Sequence, residues 1–378
     1  MNTATLFLEP LDVLFLRGNK LFGDPGSYGE SLVPPWPSLA AGAIRSRMLA
    51  DAGVDLTAFG RGEVKHRELG TPSAPGSFAV AAFQLARRQA DGSVEALFQP
   101  PADLVIAENG DGNATVRCLT PVPPGEVLMS SAPFVQLPVL AEPERSKPAS
   151  GYWLNESGWQ EYLRGKTPTA SGLVKSSELW SLDHRIGVGL EGATRRATDQ
   201  RLFSMQAVAM RPGVGFVVSV TGASPPASGS VRLGGDGRAA AIQATKQSLP
   251  QADFEAIAQT RRCRLVLTTP GLFAAGWLPT GTTKTATGEY RFDLHGVAGR
   301  LVCAAVPRSE VISGWDLANW QPKPARRAAP TGSVYWLELD EGVTAEALRK
   351  LTELGLWPEP CQDASRRAEG FNRIALAT

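Results

Sequence analysis

Glycine and proline are frequent throughout this chain, which restricts it to short elements joined by many turns. The sequence has 39 glycines and 29 prolines in 378 residues, above the average usage of roughly 7% and 5%. Both residues interrupt helices and strands, which favours many turns and long ordered loops over a helical bundle. Because 43% of the residues are hydrophobic, two domains of roughly 150 residues or more can each bury a core. We therefore predict an α+β protein with large loop insertions.

The first third of the chain predicts a strand, a loop, a helix and more strands. Residues 5–16 are rich in β-formers, and residues 18–29 are rich in glycine. Apolar residues from Leu39 to Leu49 recur at helical spacing, and Ser38 is placed as the N-cap. Further strands are predicted at 78–87, 96–99 and 103–107. Together they are expected to complete one sheet.

The second half predicts another sheet. Apolar runs at 202–210 and 213–220 flank Arg211-Pro212-Gly213, which indicates a hairpin. Residues 142–172 are rich in Pro, Ser and Lys and predict an insertion near a domain junction. We expect domains at 1–200 and 201–378. Further strands are predicted at 231–233, 239–244, 264–267, 300–306 and 332–339, and helices at 253–259 and 345–354.

Net charge and cysteine usage limit the kinds of binding site that we expect in this chain. The net charge is +1, from 38 basic and 37 acidic side chains, so any polyanion site must be local. The four cysteines and three histidines lie far apart, which predicts no disulfide framework, no structural zinc and no cofactor. The first residues lack the basic and apolar regions of a signal peptide, and no apolar run reaches the roughly 20 residues of a membrane span. The expected compartment is the cytoplasm.

Motifs of common enzymes are missing from the sequence. It contains no G-x-S-x-G, H-E-x-x-H or G-x-x-x-x-G-K-[ST] pattern. The G-x-G-x-x-G match at 187–192 follows charged residues instead of a strand, so it does not predict a dinucleotide site. His184 beside Arg185 is a candidate base for a metal-free ribonuclease. The alternative is a histidine that is hydrogen-bonded in a turn.

Two clusters of basic residues are candidates for phosphate binding. Backbone N–H groups of glycine-rich segments and arginine side chains both bind phosphate. The segment 183–201 therefore predicts a polyanion cradle, whose cations are Arg185, Arg195, Arg196 and Arg201. The alternative is a solvated loop in which these arginines pair with Asp183, Glu191 and Asp199. The second cluster flanks the first loop and helix and consists of Arg17, Lys20, Arg45 and Arg47.

An aromatic and basic mixture follows residue 314. Such a mixture is typical of surfaces that stack a nucleic-acid base and hold its backbone. Core packing is the alternative for Tyr335 or Trp336. Since neighbours on a strand face opposite sides, only one of these two is expected to point inward, and the other to meet a partner or solvent. The residues are Trp315, Trp320, Tyr335 and Trp336, near Lys323, Arg326 and Arg327.

Four blocks of sequence, taken in order, resemble the Cmr-type RAMP family. The order carries the specificity, because no block is diagnostic alone. More narrowly, the chain resembles the subunit of type III-B CRISPR effector complexes that holds the 5′ tag of the guide RNA beside a large polymerase-cyclase-like subunit. The blocks are LDVLFLRGNKLFG with PPWPSLAAGAIRSRML, DHRIGVGLEGATRRATDQRLFSMQAVAM, GRLVCAAVPRSEVISGWDL with GSVYWLEL, and EGFNRIAL.

The resemblance implies a fold, partners and contact residues. The fold is a tandem of ferredoxin-like, RRM-related domains, and the partners are the crRNA 5′ tag, the large subunit and neighbouring RAMP backbone subunits. The chain would act in antiviral defence without cutting RNA, and insertions at 60–76, 142–172 and 276–291 would reach its neighbours. The closing loop, 369–373, has one glycine where the family often has more. The implied RNA contacts are Arg17, Lys20, Ser38, Arg45, Arg185, Arg195, Arg196, Arg201, Gly370, Asn372 and Arg373.

Two other interpretations remain open at this stage. One is a repeat-RNA processing endoribonuclease on the same tandem fold, independent of metal, with His184 as general base. The other is the equivalent tag-binding subunit of another type III subtype, which differs only in its partners.

Overall fold

The computed structural model describes residues 3–18, 28–108, 113–125, 133–142 and 147–378. The chain forms two units, each built from three separate stretches. Unit 1 consists of Met1–Val94, Ser177–Lys246 and Val311–Arg326, and unit 2 of Glu95–Ser176, Gln247–Glu310 and Arg327–Thr378. The boundary expected between residues 200 and 201 lies inside one strand of unit 1.

The α-helices are α1 (Pro37–Asp51), α2 (Leu56–Gly60), α3 (Glu156–Leu163), α4 (Phe254–Thr260), α5 (Ala345–Leu354) and α6 (Ala364–Ala368), with 3-10 turns at Ala170–Gly172 and Ser176–Glu178. The first strands are β1 (Thr3–Pro10), β2 (Tyr28–Gly29), β3 (Ala79–Arg88), β4 (Val94–Leu97), β5 (Leu104–Glu108), β6 (Ala114–Cys118), β7 (Thr120–Val122), β8 (Leu137–Val139), β9 (Tyr152–Leu154), β10 (Leu173–Lys175), β11 (Trp180–Leu190) and β12 (Ala197–Met210). The remaining strands are β13 (Val214–Thr221), β14 (Ser228–Arg232), β15 (Ala239–Ala244), β16 (Arg262–Leu267), β17 (Thr282–Lys284), β18 (Tyr290–Leu294), β19 (Val297–Ala305), β20 (Glu310–Ile312), β21 (Trp315–Asp316), β22 (Gln321–Pro322), β23 (Arg326–Ala328), β24 (Val334–Leu339) and β25 (Ile374–Ala377). Antiparallel sheets with few helices confirm the expected α+β class.

Five strands of unit 1 form an antiparallel sheet in the order β14, β15, β1, β13, β3. Strand β13, VGFVVSVT, is mostly buried, as is typical of a strand that has a neighbour on each side. Gly215 permits close strand approach, because a Cβ there would lie 2.1 Å from the carbonyl oxygen of Leu8. Across the sheet, β15, β1, β13 and β3 lie side by side. Among these four strands they are the fourth, first, third and second along the chain. Helix α1 lies in the first connection and packs against β3 and β14.

Helix α1 begins two residues before the predicted start, at Pro37 instead of Leu39. Pro37 occupies its first position, where a missing N–H costs nothing. Trp36 is the N-cap, and no side chain caps the helix. Ser38 is therefore a residue of the first turn, and its prediction as N-cap was wrong.

The hairpin predicted across residues 202–220 is not formed. Both strands exist, but β13 pairs with β1 and β3, whereas β12 pairs with β11 and, in parallel, with β2. The physical reason is burial. Strand β13 is mostly apolar and mostly buried, so it lies inside a sheet. Strand β12 buries only Ala207 and Val208 among its described side chains, so it can lie in an exposed hairpin. The turn at Arg211-Pro212-Gly213 therefore connects two different sheets.

Unit 2 contains a six-stranded antiparallel sheet in the order β17, β18, β19, β24, β16, β25. Its core packs Leu265, Phe292 and Tyr335 of the strands against Leu348 and Leu351 of α5. Across this sheet, β25, β16, β24 and β19 lie side by side. They are again the fourth, first, third and second of these four strands along the chain. Here a helix, α5, lies in the last connection, and α4 packs against it from before β16.

The insertion predicted at 142–172 belongs to unit 2 and contains regular structure. Strands β9 and β10 pair, and α3 begins at Glu156 after the N-cap Asn155. The Trp159 ring of α3 stacks on Phe98, with 4.6 Å between the ring centroids. Buried aromatic residues thus order a segment whose composition predicted only local structure.

Candidate nucleic-acid interface

The segment predicted as a glycine-rich cradle is a long hairpin of unit 1, formed by β11 and β12. The strands pair from Trp180 opposite Met210 to Val188 opposite Leu202, with a register shift before Leu190. A Cβ at Gly187 would lie 2.3 Å from the Phe203 ring, and one at Gly189 would lie 2.8 Å from the Arg201 side chain. These glycines therefore make room for cross-strand side chains. The glycine-rich segment is therefore a paired hairpin at these positions and not a loop.

The tip of the hairpin, residues 191–196, carries exposed cations. Its turn is closed by backbone bonds from Arg195 N–H to the Glu191 carbonyl, 2.8 Å, and from Glu191 N–H to the Arg196 carbonyl, 2.9 Å. Glu191 also accepts a 2.7 Å hydrogen bond from the Thr194 hydroxyl. Within the described part of the chain, no ion pair involves Arg195, Arg196 or Arg201. The alternative of carboxylate pairing is therefore not realised at these three arginines.

Arg185 behaves differently from the tip arginines. Its Nε donates to Asp183 Oδ2 at 2.9 Å, and its guanidinium lies 5.8 Å from the Phe15 ring centroid. Arg238 lies over the same ring at 5.2 Å and pairs with Asp12. Sequence reasoning did not find Arg238, because 53 residues separate it from Arg185 and no motif connects them. These two cations are balanced by two carboxylates.

His184 and Arg185 do not form one site. Successive residues of a strand point to opposite faces, and His184 shares its face with Gln206 of β12. The exposed His184 ring has Nδ1 3.5 Å from the hydroxyl of Tyr28, at the limit of a hydrogen bond. The arrangement of an imidazole beside a phosphate-binding arginine is therefore absent at this pair.

The same face of the hairpin exposes apolar side chains. Ile186 is 77% exposed and Leu202 is 59% exposed, and Val188 is paired with Leu202 across the ladder. Leu182 and Leu190 continue the row and are also exposed. The alternation of these residues in the sequence was a usable signal of a strand, but alternating apolar residues usually face a core. Exposed apolar patches of this kind are typical of interaction surfaces.

The described residues that flank the first loop lie beside this hairpin. Arg17 is exposed and its segment pairs with Ser31, whose hydroxyl donates to the Gln206 carbonyl at 2.7 Å. Ser38 and the half-buried Arg45 lie on α1, with the Arg45 guanidinium 5.9 Å from the Phe78 ring. Lys20 lies outside the described residues.

The closing loop of unit 2 serves the fold. Asn372 is fully buried and its Oδ1 accepts from the Leu272 N–H at 2.6 Å. Arg373 is 7% exposed and donates to the Glu353 carbonyl at 2.7 Å, and burial lowers its pKa to about 10. Gly370 adopts φ 93°, which suits glycine. These three predicted contact residues therefore have internal roles, because their polar groups are satisfied within unit 2.

A buried ionic cluster in unit 2 was missed in the sequence. Arg264 Nη1 lies 3.1 Å from Asp103 Oδ2, and the Tyr162 hydroxyl donates to Asp103 Oδ1 at 2.9 Å. Arg264 also donates to the carbonyls of Tyr162 and Thr378, at 3.0 and 2.9 Å. Burial raises the pKa of Asp103, and Arg264 opposes that rise. The cluster joins β16 to the segment that contains α3.

Other site types find no support in the described part of the chain. No group of three or more His, Cys, Asp or Glu side chains there is arranged to bind a metal ion. None of its helices combines the length and the apolar character of a membrane-spanning helix.

Comparisons with known proteins identify one family. The model of the family described as CRISPR-associated protein (Cas_Cmr3) matches residues 6–377. A chain in the cryo-EM structure of the Type III-B Cmr-beta complex bound to cognate target RNA and AMPPnP aligns over 99% of both chains, at 14% identity and a TM-score of 0.46. A second chain, from Cmr-beta bound to cognate target RNA, aligns over 88% of this chain and 86% of its own, at 15% identity and a TM-score of 0.44. The search of curated proteins found no significant match.

Proposed function

Because this chain belongs to the Cas_Cmr3 family of CRISPR-associated proteins, we propose that it is a non-catalytic, guide-RNA-binding subunit of a type III-B CRISPR effector complex. The single observation that carries the proposal is the family match, which spans almost the whole chain and therefore both units. It agrees with the family resemblance of the four sequence blocks. The subunit holds the 5′ tag of the crRNA, docks the large polymerase-cyclase-like subunit and contacts neighbouring RAMP backbone subunits.

The hairpin of β11 and β12 is the element that supports RNA binding best. Single-stranded RNA offers phosphates to cations and base faces to apolar or aromatic side chains. Arg195 and Arg196 supply unpaired cations at the tip among the described residues, and Ile186 and Leu202 supply apolar area on one face of the stem. Arg201 is also unpaired there but points to the other face, against Gly189. Because the net charge is only +1, attraction of a polyanion depends on a local cluster of cations.

Both units are proposed to be variants of the ferredoxin-like fold. That fold alternates strand, helix, strand, strand, helix, strand, and its sheet has the order fourth, first, third, second. Unit 1 keeps the helix of the first half, α1, and has strand β14 where the second helix is expected. Unit 2 keeps the second helix, α5, and has β17 and β18 in place of the first. The shared strand order supports the tandem arrangement that the family resemblance implies.

The test of RNA binding uses arginines in matched conformations. Arg195 and Arg261 are both exposed, and both adopt φ 53° in a turn. We expect Arg195→Ala to reduce the slope of log affinity against log salt concentration, for single-stranded guide RNA, by about 0.7. Arg195→Ala with Arg196→Ala should reduce it by about 1.4, because fewer counterions are released on binding when phosphate contacts are lost. Arg261→Ala should leave the slope unchanged. Filter binding at a series of salt concentrations measures the slope.

The proposal fails if all variants keep the wild-type slope, or if the chain binds no RNA either alone or with co-expressed subunits. The endoribonuclease alternative has a distinct signature. Incubation of the chain with repeat RNA in EDTA would yield a specific cut, and His184→Ala would abolish it. No observation in the structure favours that outcome, since His184 and Arg185 lie on opposite faces of β11.

A further inference from the structure

An exposed turn of unit 1 carries two tryptophans that the RNA surface does not use. Strands β21 and β22 pair Trp315 with Pro322, and residues 317–320 form the turn between them. Trp320 is 74% exposed and Leu317 is 68% exposed. Large apolar side chains at this exposure are costly in water when they lie together, so such groups mark interaction sites. We call residues 314–323 the tryptophan turn.

Hydrogen bonds hold the tryptophan turn in one conformation. Asp316 Oδ1 accepts from the N–H groups of Ala318 and Asn319 at 2.9 and 3.2 Å. Its Oδ2 accepts from the Asn319 side chain at 2.9 Å. These bonds hold the pKa of Asp316 below its usual range, although partial burial opposes them. The carboxylate is therefore ionised at neutral pH and keeps the turn closed.

The stem and the side of the turn are also anchored. The Lys323 N–H donates to the Gly314 carbonyl at 2.8 Å, and the Ser313 hydroxyl donates to the Lys323 carbonyl at 2.6 Å. Ala318 lies against Gly60, at the end of α2, where an added Cβ would be 3.6 Å from the Ala318 Cα. The turn is thus pre-organised, which reduces the conformational entropy lost when a partner binds.

The two indole rings pack edge to face, with 6.0 Å between their centroids and 86° between their planes. Trp320, at the tip, has φ 52°. Residues other than glycine rarely adopt this left-handed backbone conformation. The two rings therefore form one shaped group, and the exposed Leu317 lies in the same turn. Tryptophan is enriched among the residues that dominate protein–protein binding energy.

We propose that the tryptophan turn docks into an apolar pocket of a neighbouring protein subunit, an inference that rests on the proposed function. A protein occupant is favoured over RNA by charge and shape. The tryptophan turn carries one acidic residue, Asp316, and one cation, Lys323, which helps to lower the pKa of Asp316, so it has no net charge. Stacking proteins, in contrast, combine aromatic residues with a surplus of cations that hold phosphates. Leu317 offers no flat face to a base but fills an apolar pocket.

The test is assembly of the full chain, tagged and co-expressed with the other subunits of its own complex. Leu317→Ala with Trp320→Ala should lower the recovery of partner subunits at least tenfold, while the melting temperature and RNA affinity of the isolated chain stay unchanged. Trp320→Phe should give intermediate recovery. Leu11→Ala is the matched control, since Leu11 is an exposed leucine (64%) at the end of β1 in unit 1 and should not alter recovery.

A direct readout accompanies the recovery. Hydroxyl-radical footprinting of wild-type protein should show Trp320 oxidised readily in the isolated chain and protected after assembly with nuclease-treated subunits. Wild-type recovery by the double variant, or unprotected Trp320 in the assembly, overturns the docking inference alone. Loss of RNA affinity with intact subunit recovery overturns it in favour of an RNA contact. Failure of the wild-type chain to recover subunits or RNA overturns the proposed function as well.

Discussion

At the scale of single residues, the same side chain has three different roles in this protein. Arg264 is buried in an ionic cluster, Arg185 pairs with Asp183 on a strand, and Arg195 is exposed at a turn. Nothing in the local sequence separates these roles, since Arg264 has Arg262 two residues away on the same face of β16. The difference arises from Asp103 and Tyr162, which only the fold brings to Arg264.

We expect Arg264→Leu to destabilise the protein by about 3–5 kcal/mol, because it leaves the Asp103 carboxylate buried without its cation. Arg264→Leu with Asp103→Leu should recover much of that loss. Arg262→Leu is the control, since the Arg262 side chain is 79% exposed and its pairing with Glu338 is long, 3.9 Å; it should cost less than about 1 kcal/mol. Urea unfolding measures all three. Equal losses at the two arginines would show that the cluster contributes no net stability.

At the scale of elements, the hairpin of β11 and β12 shows how glycine acts in a strand. Gly187 faces the Phe203 ring across the ladder, so the missing side chain is a packing requirement and not a source of flexibility. Gly192, at the tip, has nothing within 4 Å of an added Cβ. The two glycines have the same appearance in the sequence but different constraints.

We expect Gly187→Ala to displace the Phe203 ring and to weaken the local pairing by roughly 1–3 kcal/mol, the usual cost of overpacking. Hydrogen exchange of the β11 and β12 amides should then accelerate about tenfold or more. Gly192→Ala should leave these rates unchanged. Unaltered exchange in the Gly187 variant would mean that the aromatic ring rotates away without disturbing the ladder.

At the scale of the whole molecule, the chain passes repeatedly between two units whose sheets have the same strand order. Each unit depends on a close strand contact at glycine. A Cβ at Gly215 would meet the Leu8 carbonyl in unit 1 at 2.1 Å, and one at Gly299 would meet the Glu338 carbonyl in unit 2 at 2.5 Å. Neither neighbour is a side chain that can rotate away.

We expect Gly215→Ala and Gly299→Ala each to cost at least roughly 1–3 kcal/mol, because the backbone of a central strand must shift. Hydrogen exchange resolved by peptide should place the loss of protection mainly in the unit that carries the substitution. Gly42→Ala, on α1 where an added Cβ meets nothing within 4 Å, is the control and should stabilise the helix by up to about 1 kcal/mol. A uniform loss over both units would show that they unfold as one.

The sequence by itself determined most strands of the two main sheets, because they depend on local periodicity. The strand at 239–244 and the helix at 345–354 were predicted with the bounds that the structure has. The α+β class followed from composition, and the family from the order of four blocks.

Only the tertiary structure decided which strands pair, which arginines are exposed and which apolar residues lack cover. Strand β12 has β11 as its partner and not β13, and Asn372 and Arg373 are internal. Ile186 and Trp320 face solvent despite their apolar character. The physical reason is that pairing, burial and charge balance are properties of groups far apart in the chain, so no window of sequence contains both partners.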